Sequence, residues 1–95
     1  MLAVVGVVLG GCATDLSGLS GGALYDAACA HCHGGDLGGG IGPSLGPGSG
    51  AVALTDGQLD SVIRIGPGAM PGYGDRLTTA QIESLVSYLR ERQSP

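Results

Sequence analysis

The chain has 95 residues, enough for one domain and little more. It contains 20 Gly, three Tyr and neither Trp nor Phe, so its own side chains offer little aromatic surface for a core. A large flat cofactor would supply the missing core. The net charge is −4 and all four cations are Arg. This excludes a lysine-dependent phosphate loop and argues against nucleic acid as a partner.

The first part of the chain predicts export. Residues 1–11 are almost wholly apolar but too few to cross a bilayer, which needs about 20 residues. They are typical of the apolar region of a signal peptide. The run ends in Leu9-Gly10-Gly11-Cys12, which resembles the lipobox of bacterial lipoproteins and implies a lipid on Cys12. We therefore expect a signal peptide at 1–11, a lipid-anchor Cys and tether at 12–20, and a folded domain at 21–95. The alternatives are a plain signal peptide and an N-terminal apolar tail with a chance Cys.

Three helices are predicted in the remaining chain. The first covers about 21–32, the second 54–65 and the third 77–93, where apolar residues recur at helical spacing. The second and third begin with a Thr-x-x-Gln capping box. No segment shows the alternation of a strand, and a Gly-rich loop at 33–50 joins the first two helices. These features predict an all-α fold with long loops.

The chemistry of the chain is concentrated in the run Cys29-Ala30-His31-Cys32-His33. Two thiols about one helical turn apart can add to the two vinyl groups of one porphyrin, and the adjacent His33 can then bind the iron. A thioredoxin-like redox pair would need a preceding strand, and a zinc site would need two further ligands. A disulfide across the two Cys would leave His33 unexplained. The motif therefore favours one covalently attached haem c.

With this motif, the sequence resembles the class I c-type cytochromes from residue 21 to about residue 92. Other landmarks of that family occur in the same order along the chain. They are Gly21 and Tyr25 on the first helix, Gly42-Pro43-Ser44-Leu45, the segment Ile63 to Pro71, and Leu85 to Leu89 on the last helix. The resemblance implies a cytochrome c-like fold whose loops wrap around one haem. It also implies that Tyr25 and Tyr88 pack where the first and last helices cross.

The resemblance implies a role for six residues. Cys29 and Cys32 would hold the haem through thioethers, and His33 would be the proximal ligand. The Pro43 carbonyl would accept a hydrogen bond from the other ring nitrogen of that His. Met70, the one Met besides Met1, would be the sixth ligand. Arg64 could meet a haem propionate or could simply be an exposed Arg at a helix end. His31 is expected to face solvent.

These roles predict a one-electron carrier rather than an enzyme, because both axial positions of the iron would be filled. The carrier would act in a respiratory or related chain, at the periplasmic or extracytoplasmic face of a bacterial membrane. Its expected partners are redox proteins with basic docking faces and, through the lipid, the membrane itself. Two alternatives stay open. The domain could be a fixed haem subunit of a membrane redox complex, or a haem-based enzyme if Met70 does not bind the iron.

Overall fold

The computed structural model describes residues 15–94, so the predictions for the signal peptide and for Cys12 lie outside the described residues. Four α-helices follow one another, and no strand occurs among the described residues. The helices are α1 (Gly21–Ala28), α2 (Ala30–His33), α3 (Asp56–Ile65) and α4 (Thr79–Gln93), with one 3₁₀ turn at Gly50–Ala53. The predicted all-α architecture is confirmed.

The first predicted helix is split in two. Cys29 leaves ideal helical geometry, with φ −117° and ψ −34°. The amide of Cys32 then donates to the carbonyl oxygen of Cys29 at 3.2 Å, a tighter turn than an α-helix makes. The expectation of one continuous helix from 21 to 32 was therefore wrong at this residue. The break lies directly before the turn that carries the second thiol and His33.

Helices α3 and α4 start where their capping boxes predict. The Thr55 hydroxyl accepts from the amide of Gln58 at 3.1 Å, and the Gln58 side chain accepts from the amide of Thr55 at 2.8 Å. Thr78 and Gln81 repeat the arrangement at the start of α4. Helix α3 ends at Gly66, whose φ of +68° is the left-handed conformation that terminates many helices.

The core forms where α4 packs across α1 and α3. Helix α4 crosses α1 at Gly22, where a Cβ atom would lie 3.1 Å from the ring of Tyr88. The rings of Tyr25 and Tyr88 have centroids 5.4 Å apart, so the expected contact between these helices is present. The fully buried side chains are Leu24, Tyr25, Leu37, Ile82 and Leu85.

The packed chain includes residues that the sequence analysis assigned to the tether. Leu16 is only 7% exposed and belongs to the core cluster. The Gln81 amide nitrogen donates to the carbonyl oxygens of Leu16 at 2.8 Å and Leu19 at 3.0 Å. The same Gln side chain therefore caps α4 with its oxygen and fastens the incoming chain with its nitrogen. These contacts join residues before position 21 to the packed helices.

Candidate functional site

The two thiols of the central motif lie on either side of the break between α1 and α2. Both Cys29 and Cys32 are half-buried, and neither forms a disulfide. Burial, together with the neighbouring Cys32 thiol, raises the pKa of Cys29 to about 11. Reactive redox pairs instead contain a thiol whose pKa is lowered. The environment of Cys29 therefore argues against a thioredoxin-like reaction.

His33 is held in one orientation. Its side chain is buried, with 9% of the residue exposed, and its Nδ1 lies 2.8 Å from the carbonyl oxygen of Pro43. Nδ1 donates in this pair because a carbonyl oxygen can only accept, which leaves Nε2 as the ring nitrogen with a free lone pair. Gly42 lies against the ring, where a Cβ atom would be 2.8 Å from Cε1. The contact that the resemblance implies between His33 and Pro43 is thus present.

A short network fixes the loop that carries Pro43. Leu37 is almost fully buried at a φ of +66°, and its carbonyl oxygen accepts from the Leu45 amide at 2.9 Å and the Ser44 hydroxyl at 3.0 Å. The buried side chain of Gln93, at the end of α4, donates to the Leu45 carbonyl at 2.9 Å. Sequence analysis assigned no role to Leu37 or Gln93. Leu37 interrupts a Gly-rich run, which is the one local signal that could have indicated it.

Met70 lies half-buried in a loop that folds back on the end of α3. A Cβ atom at Gly66 would lie 2.3 Å from the backbone nitrogen of Gly72, so the first residue of the loop packs directly against backbone that follows Met70. The amide of Tyr73 donates to the carbonyl oxygen of Ile63 at 2.9 Å. This loop, residues 66–74, is hereafter the Met70 loop.

Tyr73 links the Met70 loop to the Cys-containing segment. Its hydroxyl donates to the carbonyl oxygen of Ala28, the last residue of α1, at 3.0 Å. The ring is 7% exposed, and burial raises the pKa of its hydroxyl, so the group is a protonated donor at neutral pH. Sequence analysis assigned no role to Tyr73, although it is one of only three aromatic residues in the chain.

Arg64 is already paired. Its Nε lies 2.5 Å from Oδ1 of Asp60, one helical turn earlier on α3, and both side chains are about one-third exposed. To bind a haem propionate, the Arg64 guanidinium would have to contact the propionate in addition to Asp60, or release Asp60. His31 is exposed, as expected.

Among residues 15–94, no group of three or more His, Cys, Asp or Glu is placed to hold a metal ion, so a protein-only zinc site is not assembled there. The described residues supply two free thiols, the Nε2 of His33 and, on the loop that the Tyr73 hydroxyl connects to α1, the thioether of Met70. Thiols, imidazole and thioether are the groups that attach and ligate haem c. The residues therefore fit that cofactor. No helix in the described part of the chain is both long and apolar enough to cross a membrane.

Comparison with known proteins agrees with this donor set. A family model described as "Cytochrome C oxidase, cbb3-type, subunit III" matches residues 17–89. The match includes the Cys29 to His33 motif, Pro43 and Met70, and it begins next to the packed Leu16. The comparison with curated proteins gave no match. The chain therefore belongs to this family, as a c-type cytochrome domain that carries covalently bound haem c and transfers electrons through it.

Proposed function

We propose that the protein is a one-electron carrier whose haem iron is held between His33 and Met70. The observation that carries this proposal is the 2.8 Å contact between Nδ1 of His33 and the Pro43 carbonyl, in a residue that directly follows the second thiol. This contact fixes the tautomer that leaves Nε2 free to bind the iron and makes the imidazole a stronger ligand.

Met70 supports a carrier rather than an enzyme. A thioether is a soft, neutral ligand that favours the ferrous state and raises the potential of the iron. With Met70 bound, no coordination position remains for a substrate or for oxygen. The protein residues would then bind and orient the cofactor, keep water from the iron and hold the two ligands in place during electron transfer.

A second candidate has specific support. The matching family is described as a subunit of an oxidase, which favours a domain that works as a fixed haem subunit within a membrane redox complex. Both candidates transfer electrons through one haem and use redox-protein partners. Co-purification from native membranes separates them, because a fixed subunit stays with its complex through mild detergent and a free carrier does not.

We also propose that the domain acts outside the cytoplasm and is tethered there by a lipid on Cys12. The support is the apolar run 1–11, the lipobox-like residues before Cys12 and a third Cys that the haem does not use. A lipidated protein should sediment with membranes, and Cys12→Ser should release it or stall its processing. An unmodified Cys12 in the mass spectrum of the mature protein would contradict the tether.

The cofactor assignment is tested on the purified holoprotein. Extraction with acidified organic solvent should leave the haem on the wild-type protein, because thioether bonds survive it. The double variant Cys29→Ala/Cys32→Ala should release any haem it binds. A redox titration of the wild-type protein should follow one reversible one-electron transition. Haem that leaves the wild-type protein, or a titration without a reversible transition, would overturn the proposal.

A further inference from the structure

Two tyrosine hydroxyls bracket the haem-attachment motif. Tyr25 donates to the carbonyl oxygen of Gly34, directly after the motif, at 2.7 Å. Tyr73 donates to the carbonyl oxygen of Ala28, directly before it, at 3.0 Å. The two donors differ in origin. Tyr25 belongs to α1, the helix that leads into the motif, whereas Tyr73 arrives from the Met70 loop, 45 residues away along the chain.

The carbonyl that Tyr73 reaches is one that needs a partner. Ala28 is the last residue of α1, and the final carbonyl groups of a helix lack partners within it. The backbone turns at Cys29 immediately afterwards. The Tyr73 hydroxyl therefore satisfies a helix end at the point where the chain turns toward the two thiols.

Tyr73 is also the residue of the Met70 loop that is buried and hydrogen-bonded to the neighbouring helices. It is the one buried side chain in residues 66–74, while Pro67, Ala69 and Pro71 are exposed and Met70 is half-buried. Its amide is bonded to the end of α3, and its carbonyl oxygen accepts from the amide of Leu77 at 3.0 Å in the turn toward α4. The guanidinium of Arg76 covers the ring at 4.8 Å from the centroid. These contacts hold the Tyr73 ring in place, and the hydrogen bond of its hydroxyl connects the Met70 loop to α1.

We propose that Tyr73 is a positioning residue that holds the Met70 loop against the haem-attachment turn and so keeps Met70 on the iron against competing ligands. This inference rests on the proposed function, since it concerns the ligand that Met70 supplies. Without the hydroxyl, the loop opens more often, and each opening exposes the sixth coordination position to a small ligand.

The test compares imidazole binding to the ferric holoprotein in the wild type, Tyr73→Phe and Tyr25→Phe. Phe keeps the buried ring and removes only the donor. One lost hydrogen bond at the loop should strengthen imidazole binding by about two- to tenfold in Tyr73→Phe. Tyr25→Phe is the matched control, because it removes the hydroxyl on the other side of the motif without touching the Met70 loop. It should lower the thermal midpoint and leave the imidazole affinity unchanged.

The outcomes separate this inference from the proposed function. A wild-type ferric spectrum without the weak far-red band of Met ligation would overturn the proposed function itself. A wild type with that band, together with unchanged imidazole affinity in Tyr73→Phe, would overturn only the inference. An equal increase in both variants would also overturn it, because the effect would then be general loosening. If Tyr73→Phe yields no holoprotein, the proposed contact is tested on the wild-type protein by hydroxyl proton exchange. The Tyr73 hydroxyl proton in the ferrous protein should exchange slowly and lie close to Ala28, and fast exchange would contradict the contact.

Discussion

At the scale of single residues, the tightest fit beside His33 is at Gly42. A Cβ atom there would lie 2.8 Å from Cε1, 3.0 Å from Nδ1 and 3.3 Å from Nε2 of the imidazole. Gly42→Ala should therefore push the ring or the Pro43 carbonyl away and weaken their hydrogen bond. We expect the free energy of unfolding of the holoprotein to fall by about 1 to 3 kcal/mol, measured by denaturant titration.

The matched control for this substitution is Gly35→Ala. Gly35 lies in the same loop, two residues after His33, and a Cβ atom there would meet nothing within 4 Å. Its stability should stay within about 0.5 kcal/mol of the wild type. Equal stabilities of the two variants would show that the close approach of Gly42 to the ring does not contribute to the free energy of unfolding.

At the scale of secondary-structure elements, Arg90 on α4 secures the segment that leads into α3. Its guanidinium donates to the carbonyl oxygens of Ala51 and Leu54 and to the Asp56 carboxylate, the last at 2.8 Å. It also donates to the side-chain oxygen of Gln93 at 2.8 Å, and Gln93 in turn holds the loop of Pro43. Arg90 therefore holds the end of the connection that leads into α3, and through Gln93 it is linked to the middle of that connection at Leu45.

Arg90→Ala should lower the free energy of unfolding by about 1 to 3 kcal/mol, because several part-buried acceptors lose their donor. Arg92 offers a matched control two residues further along α4. It is exposed, and its guanidinium contacts only the ring and hydroxyl of Tyr88 among the described interactions. Arg92→Ala should change stability by less than about 0.5 kcal/mol in the same denaturant titration. If the two variants lose stability equally, Arg90 does not secure the connection.

The elements that could be predicted from sequence are those set by neighbouring residues. The starts of α3 and α4 are fixed by Thr and Gln three positions apart, and the end of α3 by Gly66, so each signal lies within one turn. The break at Cys29 could not be predicted from periodicity, since the apolar pattern continues through it. The spacing of the two thiols could be interpreted from the sequence because both lie within one local motif.

The contacts that join distant parts of the chain were not predictable in this way. Tyr73 reaches Ala28 across 45 residues, and Gln93 reaches Leu45 across 48. Nothing in the local sequence of either donor specifies its acceptor, because each pair joins two elements that are distant along the chain. Leu16 was placed in a tether for the same reason, since the Gln81 side chain that bonds its carbonyl oxygen lies 65 residues later. The Pro43 contact was anticipated only through the resemblance to a family.

At the scale of the whole molecule, the surface is acidic. The net charge is −4, and two of the four Arg are engaged with Asp60 and Asp56. We propose that redox partners approach with a basic face, attracted by the remaining carboxylates. Oxidation of the ferrous protein by a cationic cobalt complex should then slow as salt is added, since the screening length falls to about 8 Å at physiological ionic strength. Oxidation by anionic ferricyanide is the control and should accelerate. A rate with the cationic oxidant that is flat or rises with salt would contradict electrostatic attraction.

The central claim, that Met70 closes the sixth position of the haem iron, is tested most directly by carbon monoxide binding to the ferrous protein. The wild type should bind little or none, because the thioether already occupies the site, and its ferric form should show the weak far-red band of Met ligation. Met70→Ala should lose the band, bind carbon monoxide readily and show a lower reduction potential, since the soft ligand that favours ferrous iron is gone. Ready binding of carbon monoxide by the wild type, with a spectrum and potential that Met70→Ala leaves unchanged, would contradict the account and favour a haem enzyme.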